Sequence, residues 1–154
     1  MYQTILVPLD GSARAEHILP HVENLAVHYK AKVIFLQVME PLQIVSPSLY
    51  VTSALTDTVK ESLNDFNRRF EDINTYLSGR QGEFREKGID VRKFVEQGPV
   101  VETVISVAKR ENADLIAMAS HGRSGMSRVF YGSVAAGVLQ QIDRPMLIIR
   151  SRNV

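Results

Sequence analysis

Hydrophobic positions along this chain follow two alternating rhythms. The first is a solid block of apolar residues. "TILVPLD" at 4–10, "KVIFLQV" at 32–38, "DLIAMA" at 114–119 and "MLIIR" at 146–150 are such blocks, as expected of strands buried on both faces. "DVRKFVEQ" at 90–97 is a weaker, more charged strand. The second rhythm places apolar residues three and four apart. Ala15, Ile18, Leu19, Val22, Leu25, Ala26 and Tyr29 form one helical stripe behind Ser12, a suitable cap. Pro20 lies inside that helix and, lacking a backbone donor, predicts a kink.

Val59, Leu63, Phe66, Phe70, Ile73 and Leu77 repeat in the same way and predict a long amphipathic helix. Its aromatic stripe reads as core, and Arg68 and Arg69 read as its wet face. Gly79 and Gly82 predict its end, since each costs ~1 kcal/mol against Ala in a helix interior. In "GPVVETVISVAKRENA", Pro99 suits a first turn, Glu102 the amino end, and Lys109 and Arg110 the carboxyl end. "GSVAAGVLQQI" at 132–142 is a short helix stopped by Pro145.

Strands and helices in this alternation predict an α/β fold: one domain over 1–154 with a doubly wound, five-stranded parallel sheet and helices on both faces, Rossmann-like. Residues 40–56, "EPLQIVSPSLYVTSALT", combine two prolines with apolar Ile44, Val45, Leu49, Tyr50 and Val51. They are the candidate for a lid or a partner-docking surface.

Composition narrows the function classes. The 154 residues carry 18 basic and 17 acidic side chains, a net charge of +1, which gives no electrostatic case for nucleic acid or an anionic membrane as partner. With no cysteine, disulfides, Cys-ligated zinc and thiol catalysis are excluded. "MYQTILVPLD" has no basic n-region and no run reaches the length of a membrane span, so a cytoplasmic address is expected. His17 and His21 stand four apart but lack a third ligand, and Pro20 disturbs that turn. They read as solvated surface, and no metal site is expected from them.

The chemistry concentrates in "ASHGRSGMSRVFYGS", 119–133. A connection that only turned the chain would need about 2–6 residues. In doubly wound sheets, ligands sit outside the carboxyl ends of strands where the order reverses. "PLDGS", with Pro8 and Asp10, and "SHGRSG" would then line one crevice. Gly122 and Gly125 allow close backbone approach, and their amides can form an anion nest. Gly132 and Ser133 open the next helix, whose amino end carries free amides and partial positive charge. These pieces suit a phosphate chain, with Asp10 beside a sugar hydroxyl or a metal-bound water. The plainer readings stay open: a glycine-serine loop is often a long turn, and Asp-Gly-Ser is a common cap sequence. His121 either touches a phosphate or fixes the turn. Arg123 and Arg128 either meet phosphates or lie solvated.

"ILVPLDGS", "DLIAMASHGRSGMSRVFYGSVAAGVL" and "RPMLIIR" together resemble the universal stress protein family. Its nucleotide-binding members carry Gly, two residues, Gly, nine residues, then Gly-Ser or Gly-Thr. Here Gly122, nine residues and Gly132-Ser133 match, whereas Ala119 replaces the first glycine. The resemblance is strongest at the two ends of the chain and weakest over 40–85. It implies the strand order 3-2-1-4-5, and Val38 and Met118 beside adenine. It also implies Asp10 at the ribose or metal-phosphate end, and Gly122, Arg123, Gly132, Ser133 and Val134 around the phosphates. The implied ligand is ATP, AMP or cyclic AMP, with Mg an option. The implied assembly is a homodimer paired through 146–150, with a further protein partner that the sequence does not identify. No Walker A, G-x-G-x-x-G, G-x-S-x-G or H-E-x-x-H motif is present, and no base is identifiable. The expectation is therefore a stress-response regulatory protein with no catalytic residues. The alternatives are a slow ATP hydrolase and a ligand-free dimeric interaction module.

Overall fold

The computed structural model describes residues 1–42, 53–120 and 132–151. Among the described residues ten elements follow one another: β1 (Thr4–Pro8), α1 (Ala13–Glu16), α2 (Leu19–Tyr29), β2 (Lys32–Met39), α3 (Ser53–Glu86), β3 (Val91–Gln97), α4 (Val100–Arg110), β4 (Leu115–Ser120), α5 (Ser133–Gln141) and β5 (Met146–Arg150). The strands form one sheet in the order β3-β2-β1-β4-β5, every neighbouring pair parallel. This is the doubly wound architecture that the apolar blocks and the resemblance predicted.

Two clusters of buried side chains lie on opposite faces of the sheet. On one, Ile5, Val7, Val33, Phe35, Val91, Leu115 and Ala117 pack against Ile18, Leu19, Val22 and Ala26 from the first helical segment and Leu77 and Phe84 from α3. On the other, Leu6, Ile34, Leu36 and Ile116 meet Val104, Val107 and Ala108 of α4 and Val138 of α5. Successive strand residues point to opposite faces, so double burial explains why β1, β2 and β4 read as unbroken apolar runs.

At Pro20 the structure shows a break rather than the expected kink within one helix. The stripe from Ala15 to Tyr29 is split into α1 and α2, with Pro20 in the first turn of α2, where its missing donor costs no intrahelical bond. β1 ends at Pro8, not at Asp10. Leu9 still donates its amide to the Leu36 carbonyl at 2.8 Å, after which the chain turns away at Gly11.

α3 departs from expectation in two ways. It runs 34 residues, straight through Gly79 and Gly82, and ends only at Glu86. Packing overrides the intrinsic cost of the glycines. Leu77 and Phe84 are buried on either side of them, Phe35 and Phe84 stack edge to face at 5.0 Å, and Gln81 Nε2 donates to the Val91 carbonyl at 2.8 Å. The stop comes at Gly88, whose φ of +77° suits the left-handed turn. There Gly88 N–H bonds Arg85 O at 2.9 Å and Ile89 N–H bonds Phe84 O at 3.1 Å, closing a Schellman motif. Second, Phe66, Phe70 and Ile73 are half-buried rather than core, and Leu63 is 43% exposed. A 34-residue helix spans ~50 Å, more than twice the length of a seven-residue strand. Its amino-terminal half therefore overhangs the carboxyl edge of the sheet, and among the described side chains the first fully buried one is Leu77. Arg68 and Arg69 are exposed, as expected of a wet face.

Candidate functional site

The five strands do not stay joined along their whole length. β1 pairs with β2 as far as Pro8 opposite Leu36, and β4 pairs with β5 as far as Ser120 opposite Arg150. β1 and β4, by contrast, share register only at Ile5 with Leu115 and Leu6 with Ile116. Their amino edge is tied further by Asp114, whose carboxylate accepts the amides of Gln3 at 2.8 Å and Thr4 at 3.1 Å. Past Leu6 the two central strands part. The chain leaving β1 enters the layer of α1 and α2, and the chain leaving β4 goes to α5 on the other face. Such a divergence is where doubly wound sheets form their ligand crevice.

Several residues expected from the sequence lie along this edge. Pro8 closes β1, half-buried, and exposed Asp10 follows. Asp10 Oδ1 accepts the Ser12 amide at 2.9 Å, and Ser12 Oγ caps α1 by accepting the Ala15 amide at 3.1 Å. Val38 lies near the end of β2, next to β1, and packs on the α4–α5 face. In β4, buried Met118 sits in register with Ile148 and half-buried Ala119 with Ile149. Gly132 is the cap residue of α5, with φ −51° and ψ 157° and no side-chain hydrogen bond at the cap. Its carbonyl accepts the Ala136 amide at 2.9 Å. Ser133 is exposed, and Val134 packs on the α4–α5 cluster. Since α5 links the carboxyl end of β4 to the amino end of β5, its start lies on the carboxyl side of the sheet. His121, Gly122, Arg123 and Gly125 lie outside the described residues, as do 43–52 of the 40–56 segment. His17 and His21 are both exposed, as a surface reading requires.

Beneath the Asp10–Ser12 turn is a polar cluster that the sequence did not announce. Arg80 Nε of α3 pairs with Glu16 Oε1 of α1 at 3.2 Å, and its Nη1 pairs with Glu83 Oε2 at 2.9 Å. Burial opposes the Arg80 charge, but the Glu16 and Glu83 carboxylates outweigh it and raise the guanidinium's pKa. The same guanidinium lies 5.8 Å from the centre of the Tyr76 ring. Burial, then the neighbouring Glu16 carboxylate and more weakly Asp10, push the Tyr76 hydroxyl's pKa well above its ordinary 10.0. From β2, the Gln37 carboxamide underlies Gly11: a Cβ on that glycine would stand 3.9 Å from Nε2 and 4.0 Å from Oε1. Gln37 of β2 and Tyr76 of α3 are well separated in sequence, so no local motif signals that both are buried here. Only the helical period, which puts Tyr76 and Arg80 four apart on one face, was available in advance.

Residues 1–150 match the family model for the universal stress protein family. The chain belongs to that family. Among curated relatives, universal stress protein MJ0577 of Methanocaldococcus jannaschii is 27% identical over 158 residues, covering 99% of this chain and 98% of the relative. The solved structure of MJ0577 has a TM-score of 0.78 at 26% identity, over 100% of this chain and 99% of that one. A universal stress protein solved in complex with cAMP shares the fold at a TM-score of 0.70 and 20% identity, over 98% of both chains. One from Archaeoglobus fulgidus, in complex with dAMP, shares it at 0.58 and 18%, over 96% of this chain and 98% of the other.

Proposed function

We propose that this chain is a single-domain, cytoplasmic regulatory protein that binds an adenine nucleotide in the cleft between β1 and β4 and acts as a homodimer. The observation that carries the reading is the parting of the two central strands after Leu6 and Ile116, with Pro8, Asp10, Val38, Met118 and Ala119 along the edge they leave. The start of α5 supplies what phosphates need. Amide donors at an uncapped helix terminus favour negative charge, and Gly132 has no side chain to occupy the space. Gly122 at the matching spacing adds close backbone approach from the preceding loop. Asp10 supplies a carboxylate for a ribose hydroxyl or for Mg carried in on the phosphates, a metal that needs one or two carboxylates and otherwise keeps water. That family members have been solved with cAMP and dAMP makes adenine nucleotides the first ligands to test.

Regulation fits this site better than catalysis. Phosphoryl transfer needs a positioned nucleophile as well as charge stabilisation, and Asp10 is already engaged by the Ser12 amide. The nucleotide would act by favouring one state of the protein over another that partners distinguish. Dimerisation through β5 is supported by the edge itself. β5 has β4 as its one neighbour in the sheet, and Met146, Leu147, Ile148 and Ile149 are all only half-buried. An apolar edge of that kind is a ready site for strand pairing.

Thermal unfolding with ATP, ADP, AMP and cyclic AMP, each with and without Mg, tests the reading. A ligand at a hundredfold its Kd stabilises the native state by about 2.7 kcal/mol, a rise of roughly 5–10 °C in Tm for a domain of this size. The expected result is such a rise for at least one nucleotide, lost in Gly122→Val. No rise for any of them, in protein shown free of co-purified nucleotide, overturns the reading and leaves the ligand-free interaction module.

A further inference from the structure

We propose that Tyr76 and Arg80 of α3 are positioning residues for the nucleotide site, holding the Asp10–Glu16 segment in place through Glu16. The inference rests on the nucleotide reading above and extends it to a part of the molecule that does not border the cleft. α1 has four residues, too few to be stable alone, and its local bonds include the Ser12 cap, the Asp10 turn and the Glu16 amide to the Ser12 carbonyl at 3.3 Å. Ala15, 7% exposed, is its one buried side chain.

A further constraint comes from α3. Arg80 presents a planar fork whose orientation is set by Glu83, with Nη1 at 2.9 Å and 3.2 Å from the two carboxylate oxygens, while Nε is left to meet Glu16. The side chains of Arg80 and Glu16 are 31% and 25% exposed, so the pair is shielded more than an ordinary surface ion pair. Tyr76 completes the clasp. Its ring lies under the guanidinium, and its buried hydroxyl stands beside Glu16 with no group among the described residues in hydrogen-bonding geometry. The Glu16 carboxylate, and more weakly that of Asp10, raise the pKa of that hydroxyl. Gln37 Oε1, under Gly11, is the other buried side-chain oxygen without a partner among the described residues. Unmatched buried polar atoms are rare in folded proteins, and here both lie below one turn. A floor of this kind fixes the height and tilt of Asp10 without touching a ligand.

ATP affinity and Tm without ligand, measured for Arg80→Gln, Glu16→Gln, Tyr76→Phe and the double variant Arg80→Gln/Glu16→Gln, separate positioning from general stability. Each single glutamine variant is expected to weaken ATP by about 5- to 20-fold, and the double variant by no more than the worse single one, as contacting residues do. Arg80→Lys should recover part of the loss. Arg92→Gln, which removes a pair of similar length to Glu111 at 3.1 Å just past the end of α4, serves as control and should lower Tm without changing ATP affinity. Amide exchange of residues 11–15 should quicken in Arg80→Gln. If wild type binds ATP and the clasp variants bind within twofold of it, the positioning role is wrong while the nucleotide reading stands. If wild type binds no nucleotide, both fall.

Discussion

Tyr76 shows how one side chain reports on its surroundings. Because burial and the Glu16 carboxylate disfavour its ionised form, its folded pKa lies above the ordinary 10.0. Below that value both folded and unfolded chains keep the proton, and the contribution to stability is fully present. Above it the unfolded chain releases the proton first, so stability falls as pH rises, by at most ~1.4 kcal/mol per unit for one group. Urea denaturation between pH 9 and 11 should therefore show a shallower alkaline loss in Tyr76→Phe than in wild type, and parallel curves would contradict this environment for the hydroxyl. At this scale the sequence was legible wherever partners are close in the chain. Ser12 caps α1 three residues on, and Asp10 bonds the amide two residues on. The clasp around Glu16 was not legible, since its partners arrive from another helix only once the sheet has formed.

Among the elements, α3 separates what periodicity determines from what it leaves open. The repeat of Val59, Leu63, Phe66, Phe70, Ile73 and Leu77 foretold a helix, but not where that helix meets the core. The sheet supplies a partner only from about Ile73 onward, and the same pattern above that level has none of the sheet beneath it. The glycines misled for a related reason. Their intrinsic cost is small beside the anchoring of Leu77, Gln81 and Phe84, and of Lys93, whose Nζ reaches Ser78 Oγ at 2.6 Å. Nothing stands within 4 Å of a Cβ placed on Gly79 or Gly82. Gly79→Ala and Gly82→Ala should each stabilise the fold by about 0.5–1 kcal/mol in urea denaturation. Destabilisation by either would mean that α3 needs to bend there. The five strands, by comparison, were legible within a residue or two, and for β1, β2 and β4 burial on both faces, which makes each run continuously apolar, is the reason.

For the whole molecule, alternation of strand and helix was enough to foretell a doubly wound sheet, whereas the strand order came from family resemblance. Nothing in a single apolar run says which neighbour it will take. Of the candidate site, the sequence foretold the edge carrying Pro8, Asp10, Val38, Met118 and Ala119, and the residues opening α5. If pairing of β5 makes the dimer, Ile148→Lys should shift sedimentation from dimer to monomer, since a lysine on an edge strand opposes pairing. An unchanged dimer would move the interface elsewhere.

The short ladder between β1 and β4 bears on how the cleft behaves. Two register pairs and the Asp114 carboxylate join a three-stranded half, β3-β2-β1, to a two-stranded half, β4-β5. Side chains of the two halves also pack together, Ile5 and Val7 with Leu115 and Ala117 on one face and Leu6 with Ile116 on the other, so the halves are held at their amino edge and separate only towards the carboxyl edge. On the nucleotide reading proposed above, the spacing of the two halves at that carboxyl edge is the quantity that a bound molecule would set and a partner protein would read.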